Sequence, residues 1–204
     1  MTEALREAAR GAVGQAIGTG PVEALAVLAG IVYILLAIRQ KRLCWVFGGA
    51  STALYVLVFL EARLYLQSAL QVVYVLLAVQ GWRAWRGQDD AGQGLAVRRV
   101  STLAHLAVLA ATLLLTAATA AAMARWSDSA APWADALGTW ASVAATWLMI
   151  RKVAANWLWW IVIDAGLAVL FATEGLVFTA LLYALFATLA VAGWANWRHG
   201  REVT

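Results

Sequence analysis

The sequence predicts an all-α integral membrane protein of seven transmembrane helices, arranged as two parallel three-helix units joined by one linking helix. Three observations carry this prediction. Hydrophobic residues make up 64 % of the 204 positions and charged residues 13 %, whereas a soluble domain uses about a quarter of its residues as charges to cover its surface. The apolar residues fall into seven runs of roughly the 17–25 residues that cross a hydrocarbon core. The chain also matches itself at an offset of 112 residues.

The runs lie at about 22–38, 44–60, 64–82, 100–123, 133–150, 155–173 and 175–195. Pro21 and Pro132 announce the first and fifth, since a helix start needs no N–H at that position. Gly48, Gly49, Ser51 and Thr52 dilute the second run, making it the weakest. Between the third and fourth lies GQDDAGQG, a polar, glycine-rich linker. Residues 1–20 place Leu5, Ala8, Ala9, Ala12, Val13, Ala16 and Ile17 at helical spacing beside Arg6 and Arg10. They read as a short amphipathic segment on the membrane, without the apolar stretch of a secretory signal.

Basic residues predict the orientation. With seven spans, one set of ends carries Arg39, Lys41, Arg42, Arg83, Arg86, Arg98, Arg99, Arg151, Lys152, Arg198 and Arg201, and the other carries Arg6, Arg10, Arg63 and Arg125. The richer side is expected to be cytoplasmic, which places the N-terminus outside and the C-terminus inside. The net charge of +4 is spread over these loop clusters and does not form a nucleic-acid footprint.

In the self-match, residues 21–86 align without a gap onto 133–198, with 18 of 66 positions identical, against roughly six expected by chance; fixed-period similarity marks repeat architecture. Arg39 meets Arg151, Trp45 meets Trp157, and Phe59 meets Phe171. GWRAWR at 81–86 meets GWANWR at 193–198. Two three-span units joined directly would be inverted, and the extra span at 100–123 restores the same direction. The expected division is therefore a segment 1–20, a repeat 21–86, a linker with its helix 87–132, a repeat 133–198 and a cytoplasmic tail 199–204. In repeat-built membrane proteins the ligand site lies near the midplane between repeats. His105, in the linking span, is poorly placed for one.

The sharpest chemical cluster is NWLWWIVID at 156–164. On a helix Trp157, Trp160 and Asp164 share a face while Trp159 points elsewhere, and Asp164 lies about 10 Å deeper than Trp157. An aspartate at the centre of a membrane helix costs at least about 2.5–3.5 kcal/mol, so it needs a partner, water or a function. Two readings stay open. The tryptophans form an interfacial aromatic belt and Asp164 a hydrogen-bond hub, or the face is a receptor for an organic cation, in which a desolvated cation–π contact is worth about 2 kcal/mol. Trp82, Trp85, Trp194 and Trp197 read as interfacial anchors. A second stripe, Gln67, Gln71 and Tyr74, maps onto Thr179, Tyr183 and Phe186 in the other repeat. Its glutamines are expected to face the interior, either toward a ligand or as interhelical hydrogen bonds.

Other classes lack their signatures. The sequence has no phosphate-binding loop, dinucleotide fingerprint, HExxH or Ser/His/Asp grouping, and its single cysteine, Cys44, excludes a disulfide framework. No cofactor or metal site is expected. A membrane-embedded enzyme and a non-transporting subunit are the competing classes.

The stretch NWLWWIVIDAGLAVLFATEGLVFTALLYALFATLAVAGWANW resembles the C-terminal signature of the Pnu (PnuC-type) vitamin transporters of bacteria: a WxxW pair, a following polar residue, a glycine-bounded turn, a tyrosine-bearing last span and a closing Gly-Trp. The first half matches through Gln67, Gln71, Tyr74 and Gly81-Trp82. The resemblance implies a 3+1+3 fold akin to the SWEET transporters. It further implies uptake of nicotinamide riboside, or of thiamine in sibling members, by facilitated diffusion across the inner membrane, with a cytoplasmic kinase trapping the product, and a homotrimer. Trp157 and Trp160 would be the WxxW pair, Asn156 and Asp164 the flanking polar positions, and Gln71 and Tyr74 contributors from the third span. Many members carry other polar residues at 156 and 164. Thiamine and a proton-coupled mechanism using Asp164 remain alternatives.

Overall fold

The structure, a computed structural model, describes residues 21–61, 65–86, 96–126, 132–173 and 177–199. The expected amphipathic segment 1–20 and the GQDDAGQG linker lie outside the described residues. Among those described are seven helices: α1 (Pro21–Ile38), α2 (Cys44–Glu61), α3 (Tyr65–Ala84), α4 (Thr102–Trp126), α5 (Pro132–Ile150), α6 (Asn156–Thr173) and α7 (Val177–His199). At 1.5 Å per residue their 18 to 25 residues measure about 27–38 Å, the thickness of a hydrocarbon core. The longest apolar stretches are Thr102–Trp126 and Ala180–Arg198.

The surface explains what solvent the chain is built for. Leu103 is 77 % exposed, Val162 73 % and Leu114 72 %, with Leu25, Leu28, Leu76 and Val169 also more than half exposed. In water this aliphatic coat would forfeit about 1.5–3 kcal/mol for each large side chain left out of a core; in lipid it costs nothing. Small polar residues link the helices instead, as suits a bundle without a hydrophobic driving force between its members. Ser51 Oγ donates to the Ala26 carbonyl (2.7 Å), Ser68 Oγ to the Val56 carbonyl (3.1 Å), and Trp140 Nε1 to Thr119 Oγ1 (2.9 Å). The chain is an all-α membrane protein with the 3+1+3 parallel pseudo-repeat.

The two three-helix units carry the same local devices. α1 and α5 both end in paired turns that satisfy their last carbonyls: Gln40 N bonds Ala37 O and Lys41 N bonds Leu36 O, while Lys152 N bonds Met149 O and Val153 N bonds Leu148 O, all at 2.9 Å. This closure needs a left-handed residue and usually takes glycine. Here Gln40 (φ 56°) and Lys152 (φ 52°) occupy it, at a cost of roughly 1–2 kcal/mol each. Their side chains explain the choice, since Lys152 Nζ donates to Gln40 Oε1 at 3.2 Å.

Equivalent residues touch across the middle, and this defines a pseudo-two-fold axis. α1 packs on α7 and α3 on α5, contacts that exchange under the offset. Trp85 Nε1 donates to Ile150 O (3.0 Å) and Trp197 Nε1 to Ala37 O (3.1 Å), so each repeat closes the end of the other's first helix. The linking helix α4 leans on α5 through a stripe of Thr112, Thr116 and Ala120. The stretch before it is pinned to the α5–α6 turn by a short parallel bridge, with Arg98 N bonding Lys152 O (2.8 Å) and Ala154 N bonding Arg98 O (3.3 Å). The linking span is thus attached to the second repeat.

Candidate functional site: a tryptophan layer above a buried aspartate

The end of the bundle that carries the arginines is closed by four tryptophans in an arc. Trp45 meets Trp85 edge-on (5.4 Å, 88°), Trp85 meets Trp197 (6.0 Å, 51°), and Trp197 meets Trp157 edge-on (5.6 Å, 86°). Trp85 and Trp197 are equivalent residues in contact, so they flank the axis. Edge-to-face pairs of this kind add about 0.5–1.5 kcal/mol each beyond area burial. Trp45 lies against Gly81 and Trp157 against Gly193 so closely that a Cβ at either glycine would overlap the ring. Lys152 completes the layer. Its buried ammonium has Gln40 as a hydrogen-bond partner and the Trp85 ring 4.8 Å away, partners that a buried cation needs.

The candidate residues of α6 divide by register. Trp157, Trp160, Ile161 and Asp164 face inward, while Leu158, Val162, Val169 and Leu170 face out. Asp164 is 6 % exposed, lies within electrostatic range of Tyr183 on α7, and has no hydrogen-bond partner among the described residues. Trp160 is half-buried against the tryptophan layer. Trp157 does not face open space as the shared-face argument expected, and Asn156, which the resemblance adds to the site, does not either. Trp157 is 2 % exposed and spends its ring on Gly193 and Trp197. Asn156 is fully buried at the start of α6, where Nδ2 donates to the Val153 carbonyl at 2.8 Å and Oδ1 has no hydrogen-bond partner among the described residues.

The polar stripes on α3 and α7 also turn inward. Gln71 and Tyr74 are half-buried between exposed Val72, Val73 and Leu76, and Tyr183 and Phe186 between exposed Leu181, Leu182 and Leu185. Tyr74 lies near the Ser142 side chain on α5, and Tyr183 meets Phe186 edge-on at 6.0 Å. Gln67 and Thr179 lie on α3 and α7, with side chains outside the described residues. Sequence reasoning missed Tyr33, whose hydroxyl reaches Met149 Sδ at 3.2 Å across the repeat boundary. A Cβ at Gly48 would come within 2.8 Å of the Tyr33 ring. The signal was in the repeat alignment, where Tyr33 and Gly48 fall opposite Ala145 and Trp160: each unit holds one large aromatic and one small residue, on exchanged helices.

A separate cleft of about 450 Å³ opens at the arginine-bearing end, between the start of α4 and the α5–α6 turn, with Arg98, Arg99, His105, Ala154, Trp194 and Arg198 in its wall. His105, expected to be functionally silent near an interface, sits in the first turn of α4 with Nδ1 3.2 Å from Ser101 O.

Parallel three-helix repeats around a membrane-normal axis, with polar groups turned inward, are the architecture of a membrane transporter. Residues 20–199 match the model of the nicotinamide mononucleotide transporter family, and the chain belongs to that family. It is similar to the nicotinamide riboside transporter PnuC of Escherichia coli K12, at 27 % identity over 201 residues covering 86 % of this chain and 84 % of the relative. The protein of the same name from Shigella flexneri matches equally. The crystal structure of the vitamin B3 transporter PnuC has the same fold, with a TM-score of 0.70 at 22 % identity, covering 95 % of this chain and 87 % of that one.

Proposed function

We propose that this chain carries nicotinamide riboside across a bacterial inner membrane. The single observation behind the choice of a cationic substrate is Asp164, a carboxylate buried in a membrane-spanning helix without a hydrogen-bond partner among the described residues. An unpaired charge there is expensive, and an organic cation offsets it. Trp160, one turn nearer the arginine-bearing end, offers a ring face to the pyridinium, and Tyr183 with Gln71 and Tyr74 supplies hydrogen bonds for the ribose hydroxyls. Trp157 and Asn156 serve this site from behind, holding α6 against α7 and the α5–α6 turn. Gln67 and Thr179, one turn earlier on α3 and α7, are included in the site on helical spacing alone. The name of the Escherichia coli relative supports the substrate.

In this proposal the arginine-bearing end is cytoplasmic, with the N-terminus outside and the C-terminus inside, as the basic-residue asymmetry favours. The tryptophan layer and the Lys152–Gln40 contact then close the cytoplasmic side. Release inward requires Trp85 and Trp197 to part, with each repeat moving as a unit. Transport is facilitated diffusion, made net uptake by a cytoplasmic kinase that phosphorylates the riboside, and the working unit is a homotrimer. The repeat units correspond to 21–86 and 133–198, with 87–132 as linker. Thiamine, another aromatic cation, suits the same Trp160–Asp164 face and is the second substrate to test. A proton-coupled route through Asp164 is the second mechanism, favoured by the same buried carboxylate.

The test is uptake of labelled nicotinamide riboside and labelled thiamine into liposomes containing the purified protein, with and without an imposed proton gradient. Saturable riboside entry that stops at equal concentrations is the expected result. Gradient-driven accumulation would replace the uniport mechanism, and saturable entry of thiamine alone would replace the substrate.

A further inference from the structure

The cleft at the arginine-bearing end has a filled counterpart in the first repeat. There the Arg42 guanidinium lies over the Trp82 ring, 3.6 Å from its centroid, and Arg42 Nε donates to the Trp82 carbonyl at 3.0 Å. The offset of 112 carries Trp82 onto Trp194 and Arg42 onto Ala154. Ala154 ends at its methyl group and supplies no guanidinium, and Ala154 and Trp194 both line the 450 Å³ cleft. The same wall holds Arg98, Arg99 and Arg198, all exposed and none in an ion pair among the described residues. Cation replacement at a tryptophan and a cluster of planar phosphate-binding forks thus meet in one cavity. Its size falls in the range that holds a small molecule.

We infer that this cleft binds a phosphate ester that also carries a positive charge, with the cation replacing the missing guanidinium beside Trp194 and the phosphate meeting Arg98, Arg99 and Arg198. The site lies off the pseudo-two-fold axis and does not depend on what the transport path carries. Two sources share this chemistry: the headgroup of phosphatidylethanolamine, whose chains would run along the exposed Leu158, and a phosphorylated pyridinium nucleoside arriving from the aqueous side.

The experiment uses the purified full-length chain. Native mass spectrometry from micelles containing equal phosphatidylethanolamine and phosphatidylglycerol reads the lipid arm, and equilibrium dialysis with labelled nicotinamide mononucleotide reads the soluble arm. The expected result is retention of phosphatidylethanolamine over phosphatidylglycerol by about fivefold or more, or saturable mononucleotide binding. Ala154→Arg, which installs the first repeat's residue in the second, should reduce whichever is seen by about tenfold. The double substitution Arg98→Gln with Arg99→Gln should do the same, and it serves as the test if Ala154→Arg does not yield monodisperse protein. Retention of both lipids alike without saturable mononucleotide binding would remove the cation from the proposal and overturn it. Absence of both ligands, or binding unchanged in a folded variant, would overturn it as well.

Discussion

The two repeats share a scaffold and differ in its lining. Where they agree, residue for residue, the atoms are occupied with packing: Trp45 on Gly81 and Trp157 on Gly193, Trp85 and Trp197 capping each other's first helix. Where they differ, the difference is chemical. Gln40 faces Lys152 across the axis. Thr52, which bonds back to the Gly48 and Gly49 carbonyls, stands opposite Asp164. Gly48 stands opposite Trp160, and Arg42 opposite Ala154. In a duplicated fold the matched residues locate the frame, and the mismatched ones locate what the protein does with it.

The largest expected effect comes from breaking the shared frame. Gly193→Ala should drive a methyl group into the Trp157 ring, and Gly81→Ala should do the same to Trp45, at roughly 3 kcal/mol or more, the upper end for overpacking, net of the roughly 1 kcal/mol that alanine gains in a helix. Gly166, around which nothing lies within 4 Å of an added Cβ, is the control, and Gly166→Ala should leave stability level or raise it. Thermal unfolding of the purified variants compares the three. If Gly166→Ala lost as much as the other two, tight tryptophan–glycine packing would not be the cause.

Next in size are the changes that remove one repeat's distinctive chemistry. Asp164→Asn should weaken binding of the cationic substrate by about 1.5–3 kcal/mol, the range for a charged hydrogen-bonded contact, whereas Thr52→Val at the equivalent position should change it little. Trp160→Ala should cost about 1–2 kcal/mol of binding, with Trp159→Ala nearly silent. Titration calorimetry separates these, and a critical Trp159 with a silent Trp160 would overturn the assigned helix face. The smallest effect is expected at the axis. Lys152→Gly relieves the left-handed strain of a side chain at φ 52° while removing the Gln40 contact, so stability should move by less than about 1 kcal/mol. The uptake rate should rise if the contact holds the arginine-bearing end shut.

Much of this was legible in the chain. The apolar runs located all seven helices to within a few residues, including the glycine-diluted second, because length and hydropathy in lipid leave few alternatives. The repeat offset paired Trp45 with Trp157 and Gly81 with Gly193 before any contact was known. The inward faces of Gln71, Tyr74, Tyr183 and Asp164 followed from the cost of polar groups in hydrocarbon. The burial of Trp157 did not follow, because helical phase puts it on the same face as Trp160 and Asp164 and says nothing of how close α7 approaches at Gly193. Nor did the role of Lys152, which the sequence offers only as one of the basic residues at the helix ends, or that of Gln40, which carries no signal of its own. Two residues far apart in sequence meet because a pseudo-two-fold axis passes between them, and that is tertiary information. The Arg98 bridge to the α5–α6 turn carries no hydropathy signal at all.

In the proposed mechanism Asp164 is the charge that selects the substrate. Its direct test compares binding of nicotinamide riboside with that of the dihydro form, which keeps the shape and hydroxyls but loses the pyridinium charge, in the unaltered protein and in Asp164→Asn. The unaltered protein should prefer the cation by about tenfold or more, and Asp164→Asn should bring the two ligands to within about twofold of each other. Equal loss of both ligands in Asp164→Asn, or a preference for the cation that survives the substitution, would contradict it.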